Sequence, residues 1–143
     1  MIAYADTGFL VSLYGQDAHS GTATALVKSQ PIFILTAFGE AEFTNALELR
    51  VFRKEWTRRE ARSVRDLFLQ HQAAGVFRPA PLAAEVWEKT VALARRHSSK
   101  FGTRTLDIVH VASALTLRPE VFYSFDRRQR KLAKAERLRV LPS

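Results

Sequence analysis

The first ten residues (1–10) read MIAYADTGFL, a short apolar segment with an acidic residue at its end. Ile2–Ala5 has the length and composition of a buried β-strand, and the apolar residues after Asp6 have the spacing of a helix. A strand that leads directly into a helix is typical of an α/β protein. Asp6 is then either the N-cap of that helix, a role worth roughly 1 kcal/mol, or the first residue of a site at the end of the strand.

Strands and helices alternate along the rest of the chain. Further strands are predicted at residues 32–35, 76–77, 121–125 and 139–141, and helices at about 22–29, 37–54, 57–73, 82–96, from 103 or 105 to 117, and 127–135. Thr36 and Thr57 are predicted helix caps, and residues 97–103 (HSSKFGT) a polar loop. The pattern predicts one α/β domain over residues 1–143, with a mostly parallel central sheet.

The composition excludes several classes of protein. Hydrophobic residues make up 47% of the 143 residues, which excludes a disordered chain. No apolar run approaches the roughly 20 residues that a membrane-spanning helix needs, and the first strand lacks the features of a signal peptide. The absence of cysteine excludes disulfides and thiolate metal sites. We therefore expect a cytoplasmic protein that does not enter a membrane.

The charge balance indicates a polyanionic partner. The formal net charge is +8 and the sequence pI is about 10.4, so RNA or DNA is expected first and an anionic membrane surface second. The basic residues form three clusters, although each cluster could instead be a solvated helix face. Their members are Arg50, Arg53, Lys54, Arg58, Arg59, Arg62 and Arg65; Arg95, Arg96, Lys100 and Arg104; and Arg127, Arg128, Arg130, Lys131, Lys134, Arg137 and Arg139.

Two predicted strands end in aspartate. Asp6 follows the first strand and Asp126 follows the strand at 121–125. Each aspartate alone is explained by helix capping. The carboxyl ends of parallel strands, however, form the edge of the sheet where ligands bind, so the two side chains are also candidates for one site.

Two further acids lie on apolar faces of predicted helices. Glu42 shares a face with Phe38 and Leu49, and Asp107 shares one with Val111. A buried charge is costly unless it is paired or binds a metal. The alternatives are a position at the rim or a bond to Asn45 for Glu42, and a first-turn position or a pair with Arg104 for Asp107.

Convergence of these four carboxylates would require a cation. Two unit charges about 4 Å apart repel by roughly 4 kcal/mol at an effective dielectric constant of about 20. Oxygen ligands without cysteine suit Mg²⁺ or Mn²⁺. Such ions lower the pKa of a bound water and neutralise charge on phosphate, which is the chemistry of nucleases. A basic surface beside this centre would hold the nucleic-acid backbone.

Four segments together resemble the PIN domain, and particularly the single-domain VapC toxins. They are YADTGFLVSLY (4–14), TAFGEAEFTNALELRVFR (36–53), RTLDIVHVASAL (104–115) and VFYSFDRRQRKLAKAERLRVLPS (121–143). The resemblance covers essentially the whole chain. It implies a three-layer α/β/α sandwich around a mostly parallel sheet and a metal-dependent endoribonuclease.

The resemblance also assigns residues and partners. It implies that Asp6, Glu42, Asp107 and Asp126 are the catalytic residues and the ligands of Mg²⁺ or Mn²⁺. Glu42 is preferred over Glu40 because it precedes Asn-Ala-Leu at the family's spacing. Relatives of this type cleave RNA, are inhibited by an antitoxin protein encoded alongside, and commonly form homodimers.

Residues around the acids are weaker candidates. Thr7 and Ser124 could orient a water or phosphate, or only cap and pack; Arg104 could contact RNA or Asp107; and Asn45 could orient Glu42. His110 is expected to pack beneath the site, and the aromatic residues Trp56, Trp87 and Phe101 could stack on bases or pack in the core or a partner interface.

The sequence departs from the resemblance in two places. Gly8 replaces a small hydroxyl residue that is common after Asp-Thr, and the last motif has one aspartate, Asp126, where some relatives have a second acid.

Two other functions fit parts of the pattern. A catalytically silent PIN-like module would bind RNA or protein without cleaving, although all four acids are present. A receiver-like phospho-acceptor domain would also use an aspartate at a strand end, but it predicts a lysine where this chain has Asp126 and Arg127.

Overall fold

The computed structural model describes all residues, Met1–Ser143, as a five-stranded sheet with helices on both faces. The strands are β1 (Ile2–Ala5), β2 (Ile32–Thr36), β3 (Phe77–Ala80), β4 (Val121–Tyr123) and β5 (Val140–Leu141). The helices are α1 (Thr7–Tyr14), α2 (Ser20–Leu26), α3 (Ala37–Phe52), α4 (Arg58–Ala73), α5 (Glu85–Leu93), α6 (Ser99–Phe101), α7 (Thr105–Leu117) and α8 (Arg127–Ala135), with a π-helical segment, Ala94–Ser98, between α5 and α6.

All neighbouring strands of the sheet are parallel, in the order β3-β2-β1-β4-β5. Tyr4 in the central strand pairs with Ile34 on one side and with Phe122 on the other. From β1 the chain first builds the sheet outward through β2 and β3 and then returns to the other side of β1 with β4. The predicted parallel α/β sheet is therefore confirmed, and its winding direction changes between β1 and β4.

Alternate residues of each strand face two separate hydrophobic cores. In β1, Ala3 and Ala5 pack with α1, α2, α3 and α4, whereas Tyr4 packs with α5, α7 and α8. This alternation follows from the two-residue period of a strand. It produces the predicted three layers of helix, sheet and helix. None of the helices combines the length and apolar character needed to cross a bilayer.

The predicted helix caps are confirmed. The amide of Gly39 donates to Thr36 Oγ1 at 3.0 Å, and the amide of Glu60 donates to Thr57 Oγ1 at 3.1 Å. Glu60 accepts in return from the Thr57 amide at 2.9 Å, which completes a capping box. These caps fix where α3 and α4 begin, and α3 carries Glu42.

Two local predictions are wrong. Residues 97–103 are not a polar loop, because the π-helical segment and α6 cover 97–101, where Phe101 packs against the core and His97 bonds to Glu136. Strand β3 starts at Phe77 and continues through Pro79 instead of stopping before it. It can do so because β3 is an edge strand, where the missing amide of proline costs no hydrogen bond in the sheet.

Candidate active site

The candidate site lies where β1 and β4 end side by side. The amide of Asp6 donates to the carbonyl oxygen of Tyr123 at 3.0 Å, so the residues after both strands emerge at one place. Because the winding direction of the sheet changes here, the helices that follow β1 and β4 lie on opposite faces and leave a crevice between them. Asp6 and Ser124 are the first residues in that crevice.

Asp6 acts both as a helix cap and as the buried acid of this crevice. Its side chain is 1% exposed, its Oδ1 accepts from the Phe9 amide at 2.7 Å, and its Oδ2 accepts from the Ser124 hydroxyl. Burial raises the pKa of Asp6 because it disfavours the charged form, while His110 and these two donors offset the rise only in part. Asp6 is therefore a carboxylate whose surroundings do not balance its charge.

A chain of hydrogen bonds connects Asp6 to the other two aspartates. Ser124 Oγ accepts from the Asp126 amide at 3.0 Å, and Asp126 Oδ1 caps α8 by accepting from the Gln129 amide at 2.8 Å. The Gln129 side-chain amide then donates to Asp107 Oδ1 at 3.2 Å. The structure thus connects Asp6 and Asp126, the two residues predicted at one sheet edge, with Asp107 of α7 in one network.

Glu42 belongs to a second, adjacent network. Its Oε1 is 2.6 Å from His110 Nε2 and 2.5 Å from the Thr7 hydroxyl, and the Tyr4 hydroxyl lies 2.9 Å from His110 Nδ1. Burial alone would raise the pKa of Glu42, but His110, Thr7 and Arg104 together hold it below its usual value. The ionised form is therefore stabilised at Glu42, whereas burial disfavours it at Asp6.

In this conformation no three acidic or histidine side chains lie close enough together to hold one metal ion. Glu42 bonds to His110 and not to the aspartate network, as expected where additional negative charge near Asp6 would be repelled. The donor set nevertheless fits a hard divalent cation, because it consists of carboxylate oxygens and includes the uncompensated Asp6. Gln129 Oε1, beside Asp107, is also buried without a hydrogen-bond partner.

The structure defines contacts for the weaker candidates. Thr7 and Ser124 donate to Glu42 and Asp6. Arg104 contacts Asp107 through its amide at 3.1 Å and its Nε at 3.3 Å, with 70% of its side chain exposed. Asn45 is exposed and does not make the predicted bond to Glu42, whose partners are Thr7 and His110.

The sequence did not reveal how two residues, His110 and Gln129, take part in the site. His110 packs beneath it, as expected, but it also bonds to Glu42 and Tyr4. Gln129, which links Asp126 to Asp107, was not a candidate. A usable signal exists, since His110 and Gln129 each follow an aspartate by three residues on a helix and therefore share its face.

Substitution of Ser124 by alanine tests the link between Asp6 and Asp126. We expect Mn²⁺ affinity to fall by about 10–100-fold, because loss of the hydroxyl removes a donor to Asp6 and an acceptor for the Asp126 amide. Titration calorimetry with Mn²⁺ measures this change. Ser12→Ala is the matched control, since Ser12 is also buried and donates to an aspartate, Asp17, that is not part of this network. Unchanged affinity in Ser124→Ala would contradict the link.

The fold and the site together define a class: a doubly wound α/β protein with carboxylates at its switch point. Residues 3–135 match the family model of the PIN domain, and the chain belongs to this family. The family match excludes the receiver-like alternative. No curated protein matches the sequence.

Solved structures with the same fold include three from toxin–antitoxin systems. The Mycobacterium tuberculosis toxin VapC20, described as cleaving the sarcin-ricin loop, is 21% identical, with 90% of this chain and 93% of that chain covered and a TM-score of 0.68. FitAcB from Neisseria gonorrhoeae is 17% identical, with 98% and 96% covered and a TM-score of 0.68. VapBC2 from Rickettsia felis, bound to a promoter DNA fragment, is 13% identical, with 98% and 97% covered and a TM-score of 0.65. The predicted resemblance to the VapC fold is confirmed.

Proposed function

We propose that this protein is a Mg²⁺- or Mn²⁺-dependent endoribonuclease and the toxin of a type II toxin–antitoxin pair. The observation that carries the proposal is the hydrogen-bonded network of Asp6, Asp126 and Asp107 at the switch point of the sheet. Membership of the PIN domain family and the shared fold with VapC20 support it.

Asp6, Asp107 and Asp126 would hold the ion, with Glu42 as the fourth carboxylate. When bound, such an ion lowers the pKa of a water and neutralises charge on the phosphate. Uncompensated charge on Asp6 favours cation binding, since a divalent ion would supply the positive charge that Phe9 and Ser124 do not.

The residues around the carboxylates position them. Ser124 holds one oxygen of Asp6, and Gln129 holds one oxygen of Asp107. His110, itself held by Tyr4, keeps Glu42 ionised at the rim of the crevice. These contacts limit the rotation of the side chains, and such positioning contributes to metal affinity and to rate.

The basic surface supplies substrate binding. Arg104 stands next to Asp107, and Arg127 and Arg128 follow Asp126 directly, all with exposed side chains. The arginines of α4 extend the positive surface on the other side of the sheet. Contacts of this kind hold the phosphate backbone without regard to sequence, so we expect RNA affinity to fall with salt.

A protein partner is the second half of the proposal. We propose an antitoxin protein, supported by the structural neighbours from toxin–antitoxin systems, and a second copy of the chain as partners. Trp87 and Val91 on α5 are 51% and 59% exposed and stand one helical turn apart, which makes an apolar strip on the surface.

Metal removal tests the proposed reaction. We expect the purified protein to cut structured RNA with Mn²⁺ or Mg²⁺ and to lose this activity in EDTA, because the carboxylates alone provide no positive charge at the phosphate. The measurement is sequencing of RNA ends after incubation, with refilling by Mn²⁺ as the control. RNA binding without cleavage under any divalent metal would instead support the catalytically silent module.

A further inference from the structure

A cleft of about 510 Å³ adjoins the candidate site along the first turn of α8. Its volume lies within the range of about 300–1,000 Å³ that is usual for small-ligand sites. The lining residues are Phe101, Asp126, Arg127, Arg128 and Lys131. Of these, only Asp126 is part of the carboxylate network, so the aromatic wall and the cationic wall require a separate explanation.

The cationic wall has no partner within the chain. Arg127, Arg128 and Lys131 are exposed, and none of them forms an ion pair. Arg130, on the same helix, instead turns inward and donates to the carbonyl oxygens of Ser124 and Pro142. Three cations therefore face one carboxylate across the cleft, and this excess favours an anionic ligand.

The aromatic wall is held rigidly. The ring of Phe101 is stacked on the imidazole of His97, with centroids 5.4 Å apart and planes 9° from parallel. His97 Nε2 lies 2.6 Å from Glu136 Oε1, and Arg96 reaches the same oxygen at 2.9 Å. Because Glu136 ends α8, these bonds tie the aromatic ring to the helix that carries the cations. His97 also belongs to the π-helical segment, a distortion that is frequent at functional sites.

A flat ring and unpaired cations together match a nucleotide better than a simple anion. A phosphate alone gains nothing from an aromatic wall, whereas a base stacks on it and its phosphate binds the cations. The ammonium of Lys100 lies over the Phe101 ring, 5.7 Å from its centre, so a base that stacks there would take the place of this exposed lysine and leave its charge free for a phosphate. Asp126 forms the edge of the cleft, so a nucleotide in it would place its backbone at the carboxylate network.

We propose that this cleft binds one unpaired nucleotide of the RNA, with its base against Phe101 and its phosphate between Arg127 and Lys131. The inference rests on the proposed nuclease function and deepens it, since it assigns the residues that hold the nucleotide beside the cut. A paired base cannot use the site, because both of its faces are stacked within the duplex.

Binding measured without cleavage tests the subsite. We use the full chain in EDTA and a fluorescently labelled single-stranded RNA, and follow anisotropy. Phe101→Leu keeps apolar bulk but removes the flat ring, so we expect affinity to fall by about tenfold. Phe52→Leu is the matched control, because Phe52 is an exposed aromatic residue at the end of α3, outside the cleft, and we expect it to leave affinity unchanged. Arg127→Gln should lower the slope of log affinity against log salt by about one.

Two further RNAs distinguish stacking from a structural role. On a strand with abasic ribose at every position, and on a duplex, we expect Phe101→Leu and the wild type to bind equally, while Arg127→Gln still weakens binding to both. Wild-type affinity of Phe101→Leu for single-stranded RNA would overturn the proposal. So would an equal loss on the single-stranded, abasic and duplex RNAs, which indicates a general disturbance of the fold.

A crosslinking experiment on the wild type keeps the proposal testable if Phe101→Leu does not fold. Irradiation with RNA that contains 5-iodouridine should modify Phe101, which trypsin releases in the peptide 101–104. Crosslinks confined to other peptides would overturn the subsite.

If the subsite binds as expected but no divalent metal supports cleavage, the nuclease function fails and the subsite stands. If RNA is cleaved but Phe101→Leu changes neither binding nor cleavage, the subsite fails and the nuclease function stands.

Discussion

The Asp6→Asn protein is expected to cleave RNA more than about 100-fold more slowly than the wild type and yet to unfold at a higher temperature in the absence of metal. Cleavage falls because an amide cannot supply the negative charge that a divalent ion requires at this position. Stability rises because asparagine removes a buried charge while keeping the oxygen that caps α1 through the Phe9 amide. End-labelled RNA measures the first effect, and thermal unfolding in EDTA measures the second.

The difference in stability between Asp6→Asn and the wild type should increase with pH. The pKa of Asp6 is raised by burial above its ordinary value of 3.8, so the fold favours the protonated acid. The stabilisation from Asp6 is therefore fully present below the ordinary value and is lost as pH rises through the raised pKa. Asparagine does not titrate, so we expect its advantage in Tm to grow as pH rises through the raised pKa of Asp6.

The contribution of Glu42 to stability has the opposite pH dependence, and it is the same in the wild type and in Asp6→Asn. Its pKa is lowered, despite burial, by His110 and Thr7, so its stabilising effect is present above its ordinary pKa and is lost as pH falls through the lowered one. Because Glu42 is unchanged in Asp6→Asn, comparing the two proteins at each pH isolates Asp6.

The matched control is Asp66→Asn, which removes an exposed acid of α4 and should leave both cleavage and Tm unchanged. Mn²⁺ should raise the Tm of the wild type and not that of Asp6→Asn, since only the wild type binds the ion tightly. An Asp6→Asn protein that cleaves RNA at the wild-type rate, or that is less stable than the wild type at pH 8, would contradict the role assigned to Asp6.

Truncation of Phe43 is expected to give the largest loss of stability. Phe43 is 1% exposed on α3, is stacked on Phe68 with ring centroids 4.2 Å apart, and meets the edge of Tyr14 at 6.1 Å. Phe43→Ala would remove these contacts and leave a cavity between α1, α3 and α4. We expect the free energy of unfolding to fall by about 3–5 kcal/mol, measured by urea denaturation.

The same helix provides the control for this prediction. Phe52 ends α3 and is 82% exposed. Phe52→Ala therefore removes the same atoms as Phe43→Ala, but from a solvent-exposed position and not from a core. We expect a change of less than about 0.5 kcal/mol. Similar losses in the two variants would show that α3 is not held by the packing of Phe43.

The sheet and its acidic edge could be predicted because their signals are local in sequence. Asp6 follows β1 directly, whereas β4 ends at Tyr123, two residues earlier than predicted, so that Ser124 and not Asp126 is the first residue beyond it. Asp126 is still recognisable locally, because it directly precedes the basic helix α8. The rule that ligands bind at the carboxyl ends of parallel strands then brought the two acids together. The roles of Thr36 and Thr57 as helix caps could be predicted for the same reason, since a cap acts within one helical turn.

The remaining features depend on contacts between distant elements. That Glu42 bonds to His110 is decided by how α3 and α7 pack against β1, which no spacing within one helix reveals. That β3 tolerates Pro79 depends on its place at the edge of the sheet. Residues 97–101 look like a polar loop in the sequence alone. Their helical geometry depends on the packing of Phe101 against the core and on the bond between His97 and Glu136.

The inward side chain of Arg130 joins the end of the chain to the candidate metal site. One guanidinium nitrogen donates to the Ser124 carbonyl oxygen at 2.9 Å, and the other donates to that of Pro142 at 2.7 Å. Ser124 in turn holds Asp6. A tag or a fusion partner attached after Ser143 would therefore act on a segment that is connected to Asp6 through Arg130 and Ser124, and this connection should be kept in mind when activity is measured.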